Sequence, residues 1–302
     1  MSETVSGLSM YHISPQGEMA ESFFNQPGAK VSFYKGASLV VAKMGDKQIK
    51  PSKVDRDWVR GEISAFSKGS RRRLLRLVAT IRRDKEPLFG TLTYPDNFEQ
   101  DPKQVKKQWD KFTKRLLRRF PSAVVIWRME PQIRKSGKNK GQIAPHFHLL
   151  IWGIQYKDMR EFLPVAWYES VGSQDKKHLE AGTSVEKVHS VNGVMYYTAK
   201  YIAKSDSFKL PGWGRYWGIV NRDMFQDLQG ERVTVEIDNQ TAFTLLRYMR
   251  RKGSEIYGKN KKTGRTEYKG RRRVPKWGNK YTLIGRADFW AAVIPRITAS
   301  LE

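Results

Sequence analysis

The chain has 302 residues, 39% hydrophobic and 12% aromatic, enough apolar material for one or two globular domains and too much for a disordered chain. Its 56 Lys and Arg against 30 Asp and Glu leave a formal charge of +26, which points to a polyanionic partner. With no uninterrupted apolar run of about 18 residues and no signal-peptide core, and with no cysteine for disulfides, thiolate metal sites or nucleophiles, a cytoplasmic nucleic-acid-handling protein is expected.

The first 30 or so residues show no sustained periodicity and are expected to be a loosely ordered arm. The stretch GSRRRLLRLVATIRR offers Ser70 as a candidate N-cap, and Leu74, Leu77, Val78 and Ile81 recur at helical spacing. Its other face, with Arg71, Arg72 and Arg73, serves equally as a solvated surface or as phosphate contacts. Residues 87–95, PLFGTLTYP, form a strand ending in a proline turn. Asp101 and Pro102 then provide an N-cap and first turn, and Val105, Trp109, Phe112, Leu116 and Phe120 mark one face of a helix ended by Pro121.

Residues 123–130, AVVIWRME, are a second strand and 144–153, APHFHLLIWG, a third; the basic loop IRKSGKNKGQ between them predicts a hairpin. A mostly helical region covers 156–171, broken or kinked near Pro164, and 183–191 has the β-branched content of a fourth strand. Residues 194–204, VMYYTAKYIAK, have helical character. The order β, α, β, β, α, β, α implies an α+β fold, an antiparallel sheet with helices packed on it. Beyond about 206, Gly and Trp cluster in LPGWGRYWG, with a strand at 232–237, a helix at 241–249, and an exposed or flexible GKNKKTGRTEYKGRRR. Three parts are therefore expected: 1–84, 85–205 and 206–302.

Two of the five histidines, His146 and His148, are two apart on a strand, so both imidazoles leave the same face while Phe147 and Leu149 take the other. Antiparallel pairing of the two strands brings Glu130 beside them. Polar residues at a strand end would explain a histidine pair alone, but the glutamate at the matching place favours a site. Two imidazoles and a carboxylate can hold a metal and leave positions open for water or phosphate oxygens. For a nucleophile, Tyr197 and Tyr201 are four apart on one helix face, each followed three positions later by a lysine, Lys200 and Lys204. The lysines would favour a phenolate and neutralise phosphate. Tyr196 faces elsewhere and reads as a packing residue.

PHFH, preceded by LFGTLTY and followed by AKYIAK, resembles the HUH endonucleases, and among them the rolling-circle replication initiators of plasmids and single-stranded-DNA phages. The three motifs stand in the family's order over residues 85–205. The resemblance implies an HUH/RRM-like βαββαβα core and a divalent cation, Mg²⁺ or Mn²⁺, at His146, His148 and Glu130. It also implies a tyrosine that nicks one DNA strand, keeps the 5′ end covalently and leaves a 3′ hydroxyl for a polymerase. Tyr201 matches the tyrosine of single-tyrosine initiators. Tyr197 stands where some of those carry a glutamate, and the resulting YxxxY is similar to two-tyrosine initiators, whose tyrosines can alternate. LFGTLTY matches a core strand from which Thr91 and Thr93 would approach DNA. The setting would be a bacterial cytoplasm or nucleoid.

The expected partner is single-stranded or hairpin origin DNA. No GxxxxGK[ST] loop occurs in the sequence, so a host helicase is expected as well as the polymerase. Phosphate contacts are assigned to Arg71, Arg72, Arg73, Lys135, Lys138, Lys140, Arg271, Arg272 and Arg273. Two other readings stand beside this one. A transposase or mobilisation relaxase would keep the chemistry, and a non-catalytic single-strand-binding protein would use Trp127, Trp152, Trp213 and Trp217 as stacking surfaces.

Overall fold

A computed structural model describes residues 27–44, 62–98, 101–135, 137–188, 212–260, 262–271 and 280–284. In chain order these hold β1 (Pro27–Tyr34), β2 (Leu39–Met44), α1 (Lys68–Val78), β3 (Leu88–Leu92), α2 (Pro102–Arg119), β4 (Val124–Ile133) and β5 (Ile143–Trp152). There follow α3 (Tyr156–Val171), α4 (Lys176–Ala181), β6 (Thr183–Lys187), β7 (Trp217–Val220), α5 (Arg222–Phe225), β8 (Arg232–Asp238), α6 (Asn239–Ser254), β9 (Glu255–Lys259), β10 (Thr266–Arg271) and β11 (Lys280–Ile284). The fold is α+β. Chain contacts place the described residues in two compact units, one within 1–33, 40–52 and 232–302, the other within 34–39 and 53–231. These limits do not coincide with breaks at 84/85 and 205/206. No helix among the described residues is long and apolar enough to cross a membrane.

The unit within 34–39 and 53–231 is built on a five-stranded sheet ordered β6-β3-β5-β4-β7, each neighbouring pair antiparallel. The central strand β5 is a run of large apolar residues because both faces of it are covered. Phe147 faces α2 and α3: it stacks on Trp109 at 4.6 Å between ring centroids and meets Trp167 edge-on at 5.8 Å. Helix α2 forms as its sequence predicts. Asp101 Oδ1 accepts from Lys103 N at 2.9 Å, Val105, Phe112 and Leu116 are buried at i, i+7 and i+11, and Pro121 lies just beyond its end.

Other expectations are corrected. Helix α1 starts three residues before the candidate cap: Ser67 is the N-cap and its Oγ accepts from Ser70 N at 3.1 Å, leaving Ser70 Oγ to accept from Trp217 Nε1 at 2.7 Å. Helix α3 runs through Pro164 without ending, because Met159, Leu163, Ala166 and Trp167 bury one stripe of it and that burial outweighs one lost backbone bond. The short helix α4 and its cap, Asp175 Oδ1 to Lys177 N at 2.9 Å, fall in a stretch assigned no element from sequence. The helix expected over 194–204 lies outside the described residues, as do the last three residues of the strand expected at 183–191.

In the other unit, four strands are ordered β11-β2-β1-β8. The loosely ordered arm therefore gives way to a strand from Pro27: Ala29, Val31 and Phe33 of β1 alternate inward and join Val40, Ala42, Val235 and Ile237 under Ala242, Leu245, Leu246 and Met249 of α6. Over 255–271 the basic stretch is a hairpin, β9 against β10, and not a flexible segment. Its turn is fixed by Asn260, whose Oδ1 accepts from Lys262 N at 2.8 Å and whose Nδ2 donates to Glu267 Oε1 at 2.8 Å, with Gly264 at a φ of +66°.

Candidate functional site

Strands β4 and β5 pair over ten residues, from Val124 opposite Trp152 to Ile133 opposite Ile143, and this register puts Glu130 opposite His146 and Arg128 opposite His148. Cross-strand partners share a face. One face of the sheet thus carries Arg128, Glu130, Gln132, His146 and His148, with Thr91 of β3 opposite His148 on its other side. Phe147, Leu149, Trp127 and Met129 take the helix-covered face.

His148 Nε2 lies 2.8 Å from Glu130 Oε2, and both residues are buried, at 4% and 5% exposed. Gln132 Nε2 donates to the same carboxylate oxygen at 3.2 Å. On the other edge of the imidazole, Thr91 Oγ1 is 3.5 Å from Nδ1, and the Phe89 ring lies parallel to it at 5.8 Å. The ring is thus positioned on three sides. Burial pushes the pKa of His146 down to about 4, helped by His148 and Arg134 and opposed by Glu130. At neutral pH it therefore presents an unprotonated imidazole with a free lone pair.

Donor chemistry fits a divalent cation: two imidazoles and one carboxylate on one face, with two of the three already in contact. Among the described residues no three His, Asp or Glu side chains stand as a finished metal-ligand group. The fit therefore rests on donor type, shared face and the Glu130–His148 contact.

Residues 87–206 match a family model of replication-associated proteins, the ORF2 type. The match supports a replication initiator. It spans about two fifths of the chain and contains β3 through β6, including every residue of the histidine face just described. No curated protein and no solved structure matches the chain.

The other predicted site residues fall in several places. Tyr197, Lys200, Tyr201 and Lys204 lie outside the described residues, as do Arg272 and Arg273. Arg71, Arg72 and Arg73 are exposed on α1, and Lys135, Lys138 and Lys140 are exposed on the β4–β5 connection. Arg271 is exposed at the end of β10, in the other unit. Thr93 Oγ1 donates to Gly182 O at 2.9 Å, a contact within the fold.

Three neighbours of the site carry no signal as isolated residues. Arg128 is fully buried, its guanidinium carbon 4.0 Å from the Phe66 ring centre and 5.7 Å from that of Tyr216, so aromatic faces cradle a permanent charge one register pair from Glu130. Gln132 and Thr91 touch Glu130 and His148. The signal for all three is positional: alternation from Glu130 puts Arg128 and Gln132 on its face.

Proposed function

We propose that the chain is a rolling-circle initiator that nicks one strand of origin DNA and joins it again later. The observation that carries this reading is the register placing Glu130 against His146, with its carboxylate 2.8 Å from His148, on a sheet inside the segment matching a replication-associated family. Mg²⁺ or Mn²⁺ held by His146, His148 and Glu130 would supply positive charge to a phosphodiester oxygen in the transition state.

Within that site the protein's own groups divide the work. Glu130 holds His148 in one tautomer, and Thr91 and Phe89 fix the plane of its ring. Tyr201 is the nucleophile. Its phenolic oxygen bonds to phosphorus as the bond from phosphorus to the 3′ oxygen breaks, leaving the phosphate of the 5′ end on the tyrosine. The phenol gives up its proton and the departing 3′ oxygen takes one up, giving a 3′ hydroxyl for a polymerase. Lys200 and Lys204 favour the phenolate, and Tyr197 alternates with Tyr201 when the strand is rejoined. The DNA is single-stranded or hairpin origin DNA opened by a host helicase.

Cleavage of a single-stranded origin oligonucleotide is expected to require Mg²⁺ or Mn²⁺ and to stop in EDTA while binding persists. A protein that binds equally well in both conditions and never cleaves would instead be a single-strand-binding protein. The tryptophans such a protein would use are engaged elsewhere: Trp152 is buried, and Trp127, Trp213 and Trp217 pack on the core.

A further inference from the structure

The lysines of the β4–β5 connection sit on a built support. Arg134, at its start, has a side chain only 14% exposed. Nη1 donates to Asp96 Oδ1 at 2.9 Å and Nη2 to Tyr94 O at 3.0 Å, with Pro95 O as a further acceptor. The Phe98 ring centre is 5.3 Å from the guanidinium carbon. From the far side of the connection, Asn139 Nδ2 donates to Asp96 O. The backbone closes on itself as well: Arg134 N donates to Gln142 O at 3.0 Å and Gly141 N to Arg134 O at 3.0 Å.

Glycine is needed where the connection meets Asp96. Gly137 has a φ of +83°, and a Cβ there would stand 2.8 Å from the Asp96 carboxylate. The segment after β3 therefore grips the connection through Asp96, by one side chain from each end and by close backbone approach. Lys135, Lys138 and Lys140 project from this clip, exposed and without an ion pair among the described residues. Arg134 itself is neutralised by Asp96, so those three charges remain for a ligand.

The clip stands at the histidine end of the sheet. Arg134 is four residues beyond Glu130 along the chain, about 13 Å at the rise of a strand, and its charge contributes to the shift at His146. A lysine-rich hairpin turn left free would lose conformational entropy on binding; one already held loses less.

We propose that Arg134, Asp96 and Asn139 are positioning residues that hold Lys135, Lys138 and Lys140 as a pre-formed contact for successive phosphates of a single DNA strand running to the histidine face. The identity of the strand rests on the nicking reading above. None of the three positioning residues touches the reacting atoms.

The test is fluorescence anisotropy of a labelled single-stranded origin oligonucleotide with the full chain, in EDTA, over a series of salt concentrations. Each phosphate contact contributes about 0.7 to the slope of log K against log salt for single strands, so the K135A/K138A/K140A variant is expected to lose about 2 from it. Arg134→Ala and the milder Asn139→Ala are each expected to weaken binding severalfold, with unchanged circular dichroism. Neither should weaken it further in the triple-lysine background, because there the clip has nothing to position. A wild-type slope in the triple variant, or a full additional loss from Asn139→Ala in that background, overturns the proposal. Because the assay needs no cleavage, it fails independently of the nicking reading. Tyrosine-dependent adducts with an unchanged slope would sink the clip alone, and a reduced slope with adducts that survive loss of both tyrosines would sink the nicking reading alone.

Discussion

Glu130 and His148, on adjacent strands, meet through Oε2 and Nε2 at 2.8 Å with both side chains buried. The partner register is Glu130 to His146, so the carboxylate reaches diagonally from one histidine to the other. It can therefore fix His148 while remaining beside His146. A buried carboxylate and imidazole in contact are costly to separate, since either left alone is an unsatisfied polar group.

Replacing Glu130 by Ala is expected to lower metal-dependent cleavage by at least about 100-fold, the upper end of what loss of a group orienting a metal ligand costs. Oligonucleotide binding in EDTA should stay near wild type. His146→Ala and His148→Ala should behave alike. Single-turnover cleavage at saturating Mn²⁺ measures this, and a Glu130→Ala protein that cleaves at the wild-type rate would remove Glu130 from the site.

Phe147, between the two histidines in sequence, should have the opposite profile. It is 2% exposed and packed on Trp109 and Trp167, so Phe147→Ala is expected to cost about 3–5 kcal/mol of stability. His146→Ala, at a half-buried position, should cost much less. Urea unfolding of both variants checks the contrast; equal midpoints would mean that the strand alternation is misassigned.

Stability should fall on mild acidification, and His178 is one cause. Its Nε2–H donates to Thr93 O at 2.9 Å, its Nδ1 is buried with no hydrogen-bond partner, and burial holds its pKa below the ordinary value, aided by Arg134 and opposed by the Thr93 bond and Asp175. The unfolded chain titrates near 6.5, so below that pH it binds a proton the folded state resists. The contribution is fully present above about pH 6.5 and declines as pH drops below it. His146, pushed to about 4, acts in the same direction. Urea midpoints in EDTA at pH 7.5 and 5 should differ less for His178→Gln than for wild type; an identical difference would exclude His178.

The histidine face is legible in the sequence because strand period and antiparallel pairing are local rules: His146 and His148 share a face by alternation, and Glu130 follows from a hairpin between adjacent strands. The same is true of α2, where Asp101, Pro102 and a stripe from Val105 to Leu116 agree. Pairing across the chain is not legible. β1 lies beside β8, nearly 200 residues away, and nothing near Val31 names its neighbour. The burial of Arg134 is hidden for a related reason. In IRKSGKNKGQ it is one cation among four, and only the approach of Asp96, from after another strand, sets it apart. Arg128 is concealed by composition, since a charged residue on a buried strand is explained only by the Phe66 and Tyr216 rings brought against it from elsewhere.

The central claim is covalent nicking by tyrosine, and an adduct assay with a 5′-labelled or 3′-labelled single-stranded origin oligonucleotide tests it most directly. The wild-type chain with Mn²⁺ should give a denaturation-resistant protein–DNA band carrying the 3′ label. Tyr201→Phe should reduce or abolish that band, and Tyr201→Phe combined with Tyr197→Phe should abolish it. Adducts that persist in the double variant, or adducts carrying the 5′ label, would contradict the account.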